Sequence, residues 1–153
     1  MKSLELKLPP LPLALGFGLL MWAIDRWLPL QSSRSTIRTA IALAIFGIAV
    51  AILLAAIVNF RKARTTVDPM HPEAASSVVT TGIYRFTRNP MYLAFLLALI
   101  AWAVFLGNVA TALFPLVFVV YMNRFQISPE ERALRTRFGA PYEAYLRSVR
   151  RWL

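Results

Sequence analysis

Cysteine is absent from this chain of 153 residues, which removes disulfides, thiolate metal sites and a cysteine nucleophile. Histidine occurs once, at His71, leaving little basis for a histidine-built metal site or a serine–histidine relay. Acidic residues number seven, and the two aspartates, Asp25 and Asp68, stand far apart in the chain. The paired aspartates with which lipid-headgroup phosphotransferases hold metals are therefore missing, and metal-dependent chemistry is not expected. Gly16 and Gly18 form the only close glycine pair; they sit inside an apolar run and follow no strand, so there is no Rossmann fingerprint. A P-loop is missing as well.

What is present is apolar. Hydrophobic residues make up 58% of the chain and charged ones 16%, against about 25% charged in an ordinary soluble domain. Length allows one domain, and composition places it in a bilayer. Lys and Arg total 17 against seven acids, a formal charge of +10. In a membrane protein such an excess marks the cytoplasmic face and its anionic lipids; nucleic acid is not expected as a partner.

Three apolar regions follow one another. Leu11–Ile24 runs unbroken behind Lys2 and Lys7 and closes at Asp25-Arg26-Trp27. With no small-residue cleavage pattern after it, residues 9–29 read as a spanning helix rather than a signal peptide. Thr39–Val58 carries no charge over 20 residues, enough for a bilayer core of about 30 Å, so 38–59 is the second span. Met91–Met122 is also uncharged, but as one helix it would reach about 48 Å. Gly107-Asn108 offers turn chemistry at its middle. Twelve of the 17 cations lie in segments 59–90 and 123–153, which a turn there would put on one side. The expected architecture is an all-α integral membrane protein of about four transmembrane helices. The last two, 90–106 and 109–125, form a tight hairpin, both termini are cytoplasmic, and short cytoplasmic surface helices follow over 128–153.

Two polar stretches carry candidate chemistry. In the loop 60–89, rich in turn residues, Asn89-Pro90 reads as an N-cap and first helical residue. A helix start at the membrane surface also suits a carboxylate. Ser128-Pro129-Glu130-Glu131 reads as a second helix start, with Ser128 and Glu131 as a capping box. Glu130 is then spare, and two adjacent carboxylates could meet a cationic ligand. Arg137 stands six residues after Glu131, under two helical turns away. Gly139-Ala140-Pro141 divides the tail into two short helices. Tyr84, Tyr92, Tyr142 and Tyr145 read most simply as interfacial aromatics, and Asp25-Arg26 as an interfacial pair. A non-catalytic four-helix scaffold with a lipid-binding basic face fits charge and topology equally well.

The ordered set is more telling than its parts. Thr80-Thr81-Gly82-Ile83-Tyr84-Arg85-Phe86-Thr87-Arg88-Asn89-Pro90-Met91-Tyr92 comes first, then an apolar hairpin. Pro129-Glu130-Glu131 and Arg137-Phe138-Gly139 follow, with Tyr142 and Tyr145. Over about residues 60–153 this resembles the isoprenylcysteine carboxyl methyltransferase and phospholipid methyltransferase superfamily, in the manner of its short prokaryotic members. The resemblance implies an enzyme of the prokaryotic cell (inner) membrane that uses S-adenosyl-L-methionine, releases S-adenosyl-L-homocysteine and methylates a lipophilic or lipid-anchored acceptor. By motif it implies cofactor contacts at Ser76, Val78, Val79, Tyr84, Asn89, Pro90, Met91, Tyr92 and Glu130. Glu131 and Arg137 would stand near the reacting groups, and Arg124 near the substrate. Many family members have histidine where Asn89 stands. An arginine preceding the acidic pair in eukaryotic enzymes falls at Gln126, and Arg124 is the nearest replacement.

Overall fold

A computed structural model of the chain describes residues 5–28, 30, 35–63 and 77–153. Ser76 and His71 lie outside the described residues, and so does most of the loop expected over 60–89. The elements are helices: α1 (Pro10–Trp27), α2 (Thr36–Ala63), α3 (Pro90–Leu106), α4 (Phe114–Tyr121), α5 (Ser128–Phe138) and α6 (Ala140–Ser148). Short 3-10 turns occupy Gly82–Arg85 and Val109–Leu113, and a π-helical turn spans Met122–Ile127.

Among the described residues, two stretches are long and apolar enough to cross a membrane, Thr36–Lys62 and the continuous helical run Val109–Phe138; Pro90–Leu106 is apolar but shorter. Its 17 residues rise roughly 26 Å. In the run Val109–Phe138 all the charges come at Arg124 or later, so its apolar, membrane-compatible part ends near Met122. Large apolar side chains point outward all around, among them Leu19, Leu43, Phe46, Leu116 and Val120. So much exposed apolar surface suits lipid as solvent.

Helix α3 is the hub, contacting α1, α2 and α4. On α2, Ala42, Ala49 and Ala56 recur every seven residues and are buried. Small side chains at that spacing let two helices approach closely where lipid supplies no hydrophobic drive. The main core joins Met21 of α1 to Tyr92, Leu99 and Leu106 of α3 and to Phe118, Met122 and Ile127.

At the far end of α3, Gly107 takes φ +67, and a Cβ there would collide with the Arg38 guanidinium. Asn108 follows, buried: its carboxamide donates to Asp25 Oδ1 (3.2 Å) and to the Leu28 carbonyl (2.7 Å) and accepts from the Ala110 N–H. Asp25 thus faces inward to Asn108 instead of serving merely as half of an interfacial pair.

The structure departs from the sequence reading at Ser128. Helix α5 is no fresh start there: the backbone is already helical from Phe114 through the π turn and on to Phe138, and no side-chain cap forms. Pro129 has no N–H for the Phe125 carbonyl four residues back and would crowd it. The π turn at Met122–Ile127 absorbs that conflict. The Phe125 carbonyl instead accepts from the Leu6 N–H (3.0 Å), and the Ser128 hydroxyl donates five residues back to the Asn123 carbonyl (2.6 Å). The tail does divide at Gly139, as its composition suggested.

Candidate functional site

A cavity of about 470 Å³ opens where the start of α3, the turn at Gly82–Arg85, the start of α5 and helix α6 meet. Its apolar side comes from Leu11, Leu53, Ile57, Phe60 and Phe95; its polar side from Tyr84, Arg88, Asn89, Tyr92, Glu130 and Glu131. A cleft of this size, mostly apolar with a few convergent polar groups, is what a small-ligand site looks like.

Gly82 sets one wall. Its φ of +61 turns the chain, and a Cβ would collide with the Asn59 carboxamide of α2, so the turn docks directly on that helix. Tyr84 is thereby buried, its ring edge-on to Phe60 at 5.3 Å. The Tyr145 hydroxyl donates to the Tyr84 carbonyl at 2.7 Å and ties α6 to the same wall. Burial pushes the Tyr84 and Tyr142 hydroxyls well above their ordinary pKa. It raises Tyr145 to about 12, with Arg88 opposing. All three stay protonated at neutral pH and act as hydrogen-bonding groups, not bases.

Asn89 does precede α3, with Pro90 at the first helical position, but its side chain does not cap the helix. Its carboxamide donates to the Arg151 carbonyl at 2.9 Å. The first N–H groups of α3, at Met91 and Tyr92, have no acceptor within the helix, and both residues line the cavity.

The adjacent carboxylates behave differently. Glu131 is buried and held from both sides: Arg88 Nη2 reaches Oε1 at 2.9 Å, while Arg151 reaches Oε1 and Oε2 at 3.1 and 2.6 Å. The other Arg88 terminal nitrogen donates to the Leu146 and Val149 carbonyls. Glu130 is half-buried by its accessible surface, yet protein surrounds its carboxylate closely. Oε2 accepts from the Tyr92 hydroxyl at 2.9 Å, and among the described residues nothing donates to Oε1. Burial raises Glu130 to about 7; the Tyr92 hydrogen bond opposes this and the charge of Glu131 adds to it.

Of the residues singled out from the sequence, Val78, Val79, Tyr84, Asn89, Pro90, Met91, Tyr92, Glu130 and Glu131 all line this one cavity. Arg124 and Arg137 are exposed and stand outside its lining. Six residues of α-helix turn Arg137 about 120° away from the face of Glu131, and its guanidinium lies 5.7 Å from the ring of Phe138. The arginines that meet Glu131 are Arg88 and Arg151; the sequence reading counted both among the basic residues and quoted Arg88 within the first motif, but gave neither a role. Tyr142 and Tyr145 also enter the lining; three apart on α6, they share a face, and that spacing was the available signal.

Fold and site together define a helical protein with a lipid-compatible exterior and a charged, half-apolar cavity at one end. The phospholipid methyltransferase family matches residues 37–141, and the chain belongs to that family. A protein of Haemophilus influenzae with no assigned function is 46% identical over 63 residues, 41% of this chain and all of that protein. A rice (Oryza sativa subsp. indica) protein named as a probable protein-S-isoprenylcysteine O-methyltransferase is 35% identical over 95 residues, 61% of this chain and 49% of that one. The protein-S-isoprenylcysteine O-methyltransferase of Schizosaccharomyces pombe is 38% identical over 73 residues, 47% of this chain and 30% of that one. The chain thus spans half or less of the relatives that carry an enzyme name. No solved structure matches it significantly.

Proposed function

We propose that this chain is an integral-membrane methyltransferase that binds S-adenosyl-L-methionine in the cavity and methylates a lipophilic or lipid-anchored acceptor, an isoprenylcysteine carboxylate or a lipid headgroup. In this reading the whole chain is one membrane domain of four spans, the last two a hairpin. It lies in the prokaryotic inner membrane with both termini and the cavity on the cytoplasmic side, as the positive-inside tendency favours.

One observation carries the proposal. Glu130 presents an open carboxylate oxygen inside a cavity that the start of α3 also lines. The cofactor bears a cationic amino group and an anionic carboxylate. Glu130 suits the first through a charge-assisted hydrogen bond. The free N–H groups at Met91 and Tyr92 suit the second. Val78, Val79, Tyr84 and Asn89 enclose the same volume, and 470 Å³ falls within the range of small-ligand sites. Ser76, outside the described residues, stays in the proposed contact set on the family motif alone.

When bound, the cofactor supplies an electrophilic sulfonium methyl group. The protein's part is alignment of donor and acceptor for in-line displacement and exclusion of water. Leu53, Ile57 and Phe95 admit the apolar portion of an acceptor from the lipid side. Glu131, with both oxygens held, anchors the start of α5. Arg124 and Arg137, exposed outside the cavity lining, are in this reading rim residues that meet the polar head of an acceptor, since arginine binds carboxylate or phosphate in bidentate fashion.

The test is calorimetric titration of detergent-purified protein with S-adenosyl-L-homocysteine. Wild type should bind saturably, and Glu130→Ala should lose roughly thirtyfold in affinity, about 2 kcal/mol, as expected for one charge-assisted hydrogen bond. Saturable binding with equal affinity in the variant would remove Glu130 from the site. No binding by folded, lipid-supplemented wild type would remove the cofactor.

A further inference from the structure

The family match ends at residue 141, yet the densest set of long-range hydrogen bonds in the described chain comes from beyond it. The Arg88 N–H donates to the Arg150 carbonyl (3.0 Å). The Arg151 carbonyl accepts from the Thr87 hydroxyl (3.3 Å) and the Asn89 carboxamide (2.9 Å). The Trp152 indole donates to Asn123 Oδ1 (3.1 Å), and its ring packs on the main core. The C-terminal segment is thereby stitched to both stretches that build the polar side of the cavity, 87–92 and 122–131. Its guanidinium, at Arg151, is spent on Glu131 and not on the cavity.

We propose that Arg151 is a positioning residue of the cofactor site: together with Arg88 it offsets the charge of Glu131, so that Glu130 is the carboxylate with an oxygen left open to the cavity. This rests on the reading of Glu130 as the partner of the cofactor's amino group. Adjacent carboxylates in a partly desolvated site cannot both ionise freely, because each charge disfavours the other. Two guanidiniums on one carboxylate relieve that repulsion. The fork of Arg151 is suited to it, since it spans both oxygens of Glu131 at once. Arg88 is a weaker substitute because its other terminal nitrogen is already engaged by two carbonyls.

The groups facing Glu130 are few. Tyr92 comes from α3, Gln126 reaches the Tyr92 hydroxyl from the π turn, Glu131 is its neighbour on α5, and Tyr84 and Tyr142 stand on the turn and on α6. Arg88 lies behind Glu131. None of these would replace the positive charge if Arg151 were lost. Glu130 should then hold its proton to higher pH.

The experiment is an infrared pH titration of the full chain in detergent without cofactor. It follows the protonated-carboxyl band that disappears in Glu130→Gln. Arg151→Ala and Arg151→Gln should move the midpoint up by about one pH unit, the lower end of the effect of one nearby charge. Arg151→Lys, which keeps the charge, should return it close to wild type. The glutamine variant still offers a hydrogen bond toward Glu131, so it decides the matter if the alanine variant does not fold. A midpoint equal in wild type and Arg151→Gln overturns the proposal, whatever happens to thermal stability. Since no cofactor is present, the outcome is separate from the S-adenosyl-L-homocysteine titration. A shifted midpoint without cofactor binding removes the cofactor reading and keeps the electrostatic role; binding with an unshifted midpoint does the reverse.

Discussion

Two polar clusters are buried in this apolar protein, one at each end of α3, and they are built on opposite plans. At the C-terminal end, Asn108 serves Asp25, the Leu28 carbonyl and the Ala110 N–H at once, and the Thr111 hydroxyl donates to the Asn108 carbonyl at 2.7 Å. Its polar atoms face one another. At the N-terminal end, Glu131 is closed in the same way, but Glu130 keeps an oxygen open and a cavity lies in front of it. In surroundings this apolar, an unmet polar atom costs free energy that the closed cluster shows the fold can avoid. The closed cluster is built to hold the fold, whereas the open one leaves a carboxylate oxygen facing a cavity.

The largest expected effect breaks the closed cluster. Asn108→Ala takes one hydrogen-bond partner each from Asp25, the Leu28 carbonyl and the Ala110 N–H, the Leu28 carbonyl keeping its bond from the Leu30 N–H. It should cost about 2 kcal/mol of stability, within the range for leaving buried polar groups unsatisfied. Thermal unfolding in detergent reads that loss, while S-adenosyl-L-homocysteine affinity of the folded protein should stay within about twofold. A stable variant with weakened binding would mean that the two clusters are coupled through α3 and that the contrast between them fails.

How much of this was legible in the sequence follows from how local each signal is. The start of α3 at Asn89-Pro90, its end at Gly107 and the break at Gly139 rest on single residues with strong backbone preferences, and the structure has all three. The capping box at Ser128 rested on equally local preferences and did not form. The helix arriving from Phe114 carries enough apolar packing, through Phe118, Met122 and Ile127, to continue through Pro129 with a π turn. Local pattern cannot weigh that tertiary term. The same holds for the site. Nine of the residues picked from motifs surround one cavity, but Arg88 and Arg151 were unreadable as partners of Glu131. The arginines reach Glu131 across 43 and 20 residues of chain, and no spacing rule connects them.

A smaller effect sharpens the contrast by pH. Glu130, raised to about 7, is neutral below that value and anionic above it. The amino group of S-adenosyl-L-homocysteine is cationic throughout that range, so binding should strengthen as pH rises through 7. It should weaken as pH falls, by about tenfold per pH unit once Glu130 is mostly protonated. Glu130→Gln should bind weakly with a flat profile between pH 6 and 8. Calorimetric titrations at half-unit steps separate the two. A wild-type profile as flat as that of the variant would place the amino group elsewhere in the cavity.

The smallest expected effect on cofactor affinity concerns Arg137, and it marks how far the open site extends. Arg137 is exposed on the last turn of α5 and stands outside the cavity lining. Arg137→Ala should change S-adenosyl-L-homocysteine affinity by no more than about twofold, since exposed charges couple weakly. Turnover on a lipid acceptor is a separate matter. An acceptor whose apolar part enters beside Leu53 and Ile57 would leave its polar head near the protein surface, within the reach of rim arginines. If Arg137→Ala lowers turnover and leaves cofactor affinity alone, the rim reads the acceptor's head group and the site has two separable halves. Equal turnover in variant and wild type confines recognition to the cavity, and the rim arginines then serve only as contacts to anionic lipid.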